Sequence, residues 1–428
     1  MKTLYVHRLN LYAPVFVGTI EVTELSTATF TYDADYLQME GAIPLSASLP
    51  LQSEPYLELV MLPYFNGLLP EGEARNSLAA RLELPEGDYI SLLEACGREC
   101  IGDVLIVDAP VKTVDGGYEA VSLEGLKALF SSDVAVASLN TVTRLSLAGT
   151  QTKTGLAHKP EAAWTGGWFK PHGYAATTHI LKTSHLLDVP EIEFICMKAA
   201  NACGLKVADV ALLDVSKPVL AVERFDRTVA VDDGSNLVVE RRHQEDFAQA
   251  LGVNSSSKYL EQPGGSVKAV AEFLRKNSKN PAQDIAQLAR TLCFAYAIGD
   301  CDAHLKNYSI LSERPKARAY LVGLAPAYDL VCTTRFERFS RQMAMAFGGT
   351  RDIDAIGPEN FAALAADLGV TRKALANLAK PIVDLLPEAL MAAGQGEYGE
   401  VLDSTAFIAE DLLDDFAPRL KVLQEFCR

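Results

Sequence analysis

The chain has 428 residues, 49% hydrophobic and 22% charged, enough for two or three domains whose cores need neither disulfides nor structural metals. Its net charge of −16 argues against a protein that holds nucleic acid across its own surface and leaves DNA contact to a basic partner. The eight cysteines are scattered, lack zinc-site spacing and read as buried thiols of a reducing cytosol. No apolar leader opens the sequence and no apolar run nears the ~20 residues of a bilayer span, so the expectation is a cytoplasmic protein without a membrane segment.

The first hundred residues are β-rich with a helical insert. Short β-prone runs at 4–6, 15–17, 18–22 and 29–32 are separated by turn residues. Residues 56–82 are more helical, with breaks expected at Pro63 and Pro70, and 103–107 forms a closing strand. The D-G-G stretch within 110–118 marks a boundary. A second β-rich segment runs from about 143 to 225 around one helix, 190–203, whose apolar face carries Ile192, Ile195, Cys196, Ala199 and Ala200. Strands flank it at 179–182 and 219–225. From about 246 the chain is mainly helical. The clearest helix spans 281–298: Asn280 caps it, Pro281 suits its first position and Asp284 complements its dipole. Its buried face carries Ile285, Leu288, Ala289, Leu292, Ala295 and Tyr296, and Gly299 ends it. Further helices are predicted at 358–367, 372–379 and 407–426. The order is that of an α+β protein with a β-rich lobe over a helical lobe and a nucleotide cleft between. The divisions are 1–110, 140–225 and 226–428.

The densest polar cluster, G-D-C-D-A-H-L-K-N at 299–307, follows that buried helix and leads into the apolar run Y-S-I-L. Four ionisable groups and an amide beside a core are costly unless something satisfies them. Phosphoryl transfer needs this inventory: a carboxylate to orient the attacking hydroxyl and take its proton, an amide and a second carboxylate for magnesium, a lysine for developing charge. Asp302 and Asn307 stand in D-x-x-x-x-N spacing with Lys306 between them, and Asp329 follows Asn307 by 22 residues. For the short spacing alone, a polar helix terminus with His304 bonded to backbone is the simpler reading; Lys306 and Asp329 tip the balance. A second stretch, S-L-A-G-T-Q-T-K at 146–153, taken alone reads as a hairpin turn, though its small residues also let backbone N–H groups approach phosphates. Lys182 ends a strand-like run and could reach phosphates with Glu193 as ion-pair partner, or simply be a solvated strand end. Residues 221–227, A-V-E-R-F-D-R, lie where strands give way to helices, as an inter-lobe hinge or a charged turn.

In order, these segments resemble the HipA family of toxin–antitoxin kinases. The likeness rests on S-L-A-G-T-Q-T-K, on T-T-H-I-L-K at 177–182, V-E-R-F-D-R at 222–227 and H-Q-E-D-F at 243–247, and on the 299–307 cluster with Tyr328-Asp329. Toward the amino terminus it includes P-L-S-A-S-L-P-L at 44–51, F-N-G-L-L-P-E at 65–71 and G-R-E-C-I-G-D-V at 97–104, and it weakens after about 349. The resemblance implies a bilobal protein-kinase-like fold with an added β-rich amino-terminal domain and an all-helical carboxy-terminal lobe. It implies ATP- and Mg2+-dependent phosphorylation of protein serine or threonine. Asp302 would be the base, and Asn307 and Asp329 the metal ligands. Ala148, Gly149, Thr150, Gln151, Thr152 and Lys153 would cover the nucleotide, and Lys182, His304 and Lys306 would contact it. Glu223, Arg224 and Phe225 would hold adenine through their backbone, Gln244 would sit near the metal, and Ser146 would be a self-phosphorylated position. The implied partners are a HipB-like helix-turn-helix antitoxin, through which alone DNA is reached, and a protein substrate such as an aminoacyl-tRNA synthetase. Two rivals stand beside this: a small-molecule phosphotransferase of kinase-like fold, and a catalytically silent co-repressor scaffold.

Overall fold

The computed structural model describes residues 2–9, 13–23, 27–133, 135–136, 139–140, 152–232, 234, 236–312 and 320–428. The fold is α+β, and the chain forms two compact units. One comprises Met1–Ser184, Leu213–Ser255 and Leu311–Tyr320; the other comprises His185–Leu212, Ser256–Ile310 and Leu321–Arg428.

The first unit opens with β1 (Lys2–Leu9), β2 (Pro14–Val22), β3 (Ala28–Tyr32), β4 (Tyr56–Leu57) and β5 (Val104–Val107), in the sheet order β4-β3-β2-β1-β5. Alternating burial along β3 turns Phe30 and Tyr32 into a core shared with Tyr56, Tyr64 and Phe65. The buried Tyr32 hydroxyl stays satisfied, donating to the Leu49 carbonyl at 2.6 Å and accepting from the Leu45 amide at 2.8 Å. The helix Glu58–Gly67 runs through Pro63, where a break was expected. The carbonyl that loses its partner belongs to Leu59, whose residue is 85% exposed, so water can take the bond.

A second sheet has the order β10-β11-β9-β7-β8-β6, built from β6 (Gly116–Val121), β7 (Thr152–His158), β8 (Trp168–Gly173), β9 (His179–Thr183), β10 (Val210–Asp214) and β11 (Pro218–Glu223). The D-G-G stretch thus opens β6, paired with β8 from Gly116↔Gly173 to Val121↔Trp168. A hairpin, Arg227–Val231 with Leu237–Arg241, follows within the region expected to be helical. The P-L-S-A-S motif meets H-Q-E-D-F here. Buried Glu245 accepts from the Ser46 hydroxyl at 2.5 Å, the Ala47 amide at 3.0 Å and the Tyr320 hydroxyl, while Ser48 donates to the Gln249 carbonyl at 2.8 Å.

The second unit is mainly helical. Its central helix, Pro281–Ile298, buries all six residues of the predicted face, each at 5% exposure or less. Burying each large apolar side chain contributes roughly 1.5–3 kcal/mol. Asn280 makes no side-chain cap; Asp284 instead accepts from the Ser278 hydroxyl at 2.6 Å and the Leu324 amide at 3.0 Å, tying the helix start to the strand Val322–Leu324. Around it pack Ser266–Asn277, Arg372–Gly394 and Thr405–Cys427. Arg372–Gly394 runs well past the predicted end at 379, through Pro381 and Pro387. A proline costs a helix about 3 kcal/mol. Burial of Leu375, Ile382, Leu386 and Leu390 on one face outweighs that. Short strands at Val322–Leu324, Gln342–Phe347 and Thr350–Asp352 interrupt the helices of the carboxy-terminal half. The eight cysteines form no disulfide. Among the described residues, no helix is long and apolar enough to cross a membrane.

Candidate active site

The polar cluster begins where the central helix stops. Gly299 closes it at φ +76°, and a Cβ there would lie 2.1 Å from the Thr334 hydroxyl and 2.7 Å from an Arg419 nitrogen, so the turn admits glycine alone. The Gly299 carbonyl accepts from the Thr334 amide and the Thr333 hydroxyl, both at 3.1 Å; the same hydroxyl accepts from the Cys301 amide at 2.8 Å.

Asp300, 1% exposed, is the hub of the turn. Its Oδ1 accepts from the Asp302 amide at 3.0 Å. Burial pushes this carboxyl well above the usual carboxylate range, and the charges of Asp302 and Asp329 push it further. Its Oδ2 is buried without a hydrogen-bond partner. A second tie runs in parallel. The Tyr328 hydroxyl donates to the Lys306 carbonyl at 2.6 Å and lies 2.7 Å from the Ser309 hydroxyl. Two bonded links, Cys301 to Thr333 and Lys306 with Ser309 to Tyr328, therefore bracket residues 301–309 to residues 328–333, within one unit.

Inside that bracket Asp302 is exposed, while Asn307 and Asp329 are half-buried. The Asn307 side-chain amide donates to the Asp302 carbonyl at 3.3 Å, and its backbone N–H to the His304 carbonyl at 2.9 Å. Asp329 sits in the left-handed region at φ +59°, which costs a non-glycine residue about 1–2 kcal/mol, though aspartate is among the more tolerant. Strain of this kind gathers at functional sites. His304 and Lys306 are buried, at 5% and 7% exposure. Among the described residues no three His, Cys, Asp or Glu side chains group as a metal site. The amide of Asn307 and the carboxylate of Asp329 are hard oxygen donors, a set that fits Mg2+, which completes its shell with water and phosphate oxygens.

One contact was not legible in the sequence. The Tyr259 hydroxyl donates to Asp302 Oδ1 at 2.5 Å, from 43 residues upstream. No spacing rule joins the two, and K-Y-L-E alone carries no chemical signature.

The remaining predicted residues lie in the first unit, apart from Glu193, which is fully buried on the helix Val189–Ala202 of the second. Ser146, Ala148, Gly149, Thr150 and Gln151 lie outside the described residues; Thr152 opens β7. Lys153 on β7 and Lys182 on β9 are direct cross-strand partners, so both half-buried ammonium groups leave the same face of the sheet. Glu223 ends β11 opposite His179, with Phe225 half-buried just beyond. Gln244 is buried with its backbone close against Gly102, where a Cβ would lie 2.9 Å from the Gln244 nitrogen.

Arg224 is committed elsewhere. Its amide donates to the Thr178 carbonyl at 2.9 Å, its carbonyl accepts from the Arg227 amide at 3.1 Å, and its guanidinium is buried among acids. It meets Asp226 through two nitrogens, at 3.0 and 2.8 Å, and Glu99 at 3.2 Å. Glu99 also accepts from Arg227 at 3.1 Å, from Arg241, and from the Thr177 amide and hydroxyl at 3.0 and 2.9 Å. Asp226 takes Arg227 at 2.8 Å and the Gly102 amide at 2.7 Å. Two of the recurring motifs, T-T-H-I-L-K and V-E-R-F-D-R, thus owe part of their polar content to a buried ion cluster anchored on G-R-E-C-I-G-D-V.

Comparison with known proteins follows the same lines. The family model for the HipA-like C-terminal domain matches residues 145–390, and that for the HipA N-terminal domain matches residues 11–107. A Sinorhizobium fredii protein named "Putative kinase Y4mE" is 33% identical over 414 residues, covering 92% of this chain and 93% of its own length. The serine/threonine-protein kinase toxin HipA of Shewanella oneidensis is 28% identical over 403 residues, 89% of each chain. A solved structure of the Shewanella oneidensis toxin–antitoxin system, HipA with HipB and its operator DNA, aligns over 99% of each chain with a TM-score of 0.79 at 24% identity. At that identity the likeness establishes a shared fold.

Proposed function

The chain belongs to the HipA family, and on that premise we propose that it is a serine/threonine protein kinase, the toxin of a toxin–antitoxin pair, that transfers phosphate from ATP to a protein of translation such as an aminoacyl-tRNA synthetase. The observation that carries the reading is the double link from residues 301–309 to residues 328–333. It gathers one exposed carboxylate, one amide and one half-buried carboxylate in a single bracket.

In this reading Asp302 receives the acceptor hydroxyl, aims it at the terminal phosphate and takes its proton. Asn307 and Asp329 would hold Mg2+, which neutralises phosphate charge when bound. Lys153 and Lys182, which leave one side of their sheet, would contact the phosphates, and His304 and Lys306 would serve the nucleotide from the loop. The backbone at Glu223 and Phe225 holds adenine, and the engagement of Arg224 in its buried cluster fixes where those two neighbours stand. By function the chain divides at 1–110, 140–225 and 226–428. DNA is reached through a HipB-like helix-turn-helix antitoxin, a division of labour that suits a chain of net charge −16.

The test uses purified protein, radiolabelled ATP and cell lysate. Label in a discrete protein band is expected; label confined to small solutes would mark a small-molecule phosphotransferase instead. Growth arrest that survives Asp302→Ala would mark a silent scaffold.

Ser146 is proposed as the site of self-inactivation. A phosphate there adds nearly two negative charges to a loop that must host ATP phosphates. Ser146→Asp is expected to weaken ATP binding at least tenfold relative to Ser146→Ala in a calorimetric titration. Equal affinities would remove the mechanism.

A further inference from the structure

Tyr259 makes a contact that the reading above does not use. It follows the 3-10 turn Ser255–Ser257 and is 41% exposed, yet its hydroxyl donates to Asp302 Oδ1 at 2.5 Å. The ring is held on its own account. It meets the His304 ring edge-to-face, centroids 5.1 Å apart at 69°, and the Lys258 ammonium lies 5.2 Å from its centroid. Lys258 and His304 are themselves buried, at 9% and 5% exposure. A tyrosine fixed in this way presents its O–H at a set place beside the exposed side chain of Asp302.

We propose that Tyr259 is a positioning residue of the base: its hydroxyl holds Oδ1 of Asp302 and so helps fix the carboxylate rotamer that receives the acceptor hydroxyl of the substrate. The inference rests on Asp302 being the base. A carboxylate has two oxygens and about four lone-pair positions, so one held oxygen does not block proton transfer at the other. Orientation is what the bond supplies. A base that samples several rotamers spends little time in line with the hydroxyl it must receive, and misplacement of order 1 Å can cost up to about a hundredfold in rate. Tyr259 itself touches neither ATP nor the acceptor in this scheme, so its loss acts on turnover and leaves nucleotide binding alone.

The experiment is a double-mutant cycle on the full-length protein, with radiolabelled ATP and the labelled protein band as readout. Tyr259→Phe keeps the ring, its edge against His304 and its place beside Lys258, and removes only the hydroxyl. It is expected to lower kcat about tenfold, with KM for ATP within twofold of the parent and an unchanged melting temperature. In an Asp302→Asn background, where no carboxylate remains to be aimed, the same change is expected to alter the residual rate less than twofold. A structural role for Tyr259 would cost rate in both backgrounds. An undiminished kcat in Tyr259→Phe, an equal loss in both backgrounds, or a loss carried by KM for ATP would each overturn the proposal. The two layers separate cleanly: an active Asp302→Asn overturns the base, whereas an inactive Asp302→Asn beside a fully active Tyr259→Phe overturns only the positioning role.

Discussion

Replacing Asp302 with asparagine is expected to lower kcat by about 10²–10⁴, the usual contribution of a positioned general base. The change is nearly isosteric, and the amide oxygen can still accept from Tyr259, but the group can no longer take a proton. The fold should not notice. The turn is held by backbone groups of residue 302, its N–H on Asp300 and its carbonyl under Asn307 and the His304 amide, and its side chain is exposed. Single-turnover transfer from radiolabelled ATP measures the rate, and a thermal melt within about 1–2 °C of the parent shows that structure is retained. A rate within threefold of the parent would remove Asp302 from the chemistry.

Glu99→Ala is expected to act the other way, on stability. It strips a buried carboxylate from three guanidinium groups, those of Arg224, Arg227 and Arg241. Breaking a buried ion pair from one side costs about 3–5 kcal/mol, because the abandoned charge stays in low dielectric. Against a typical stability of about 5–15 kcal/mol that is a large share, readable as a lowered midpoint in urea. The pH dependence follows with a definite sign. Burial alone would raise the Glu99 carboxyl, but Arg241, Arg227 and Arg224 together hold it well below the usual range. For Asp103 burial is outweighed by Arg8 and His243, and for Asp226 by Arg224 and Arg227. A carboxyl depressed in the folded state contributes stability that is complete above its unfolded pKa, about 4, and drains away as pH falls toward the folded value. The contribution of these three carboxyls should therefore be level above about pH 5 and fall steeply below about pH 4, and Glu99→Ala should flatten that acid limb. An acid limb as steep in the variant as in the parent would place the cause elsewhere.

What the sequence disclosed, and what it hid, divides by range. The central helix was legible to the residue, because Pro281, the spacing from Ile285 to Tyr296 and Gly299 are local signals. The candidate base and its companions could be proposed from sequence because phosphoryl transfer demands a recognisable inventory at short spacing. The helix around Pro381 and Pro387 was cut short because local propensity was weighed without the tertiary burial that overrides it. Asn280 looked like a cap because its type and position are right, but Ser278 and Leu324 claimed the polar groups of that first turn. Tyr259 and Glu99 were invisible for a common reason: each acts on residues that only the fold brings near.

The span of the Glu99 cluster has a consequence for how the chain is made. Its arginine partners lie 125 to 142 residues further along. At a ribosomal pace of about 5–20 residues per second, roughly 7 to 28 seconds pass between the synthesis of the acid and that of the last base. The nascent amino-terminal sheet must wait through that interval with a hydrated carboxylate on what will become an interior seam. Any transcript or protease product that ends before Arg224 leaves the seam open for good.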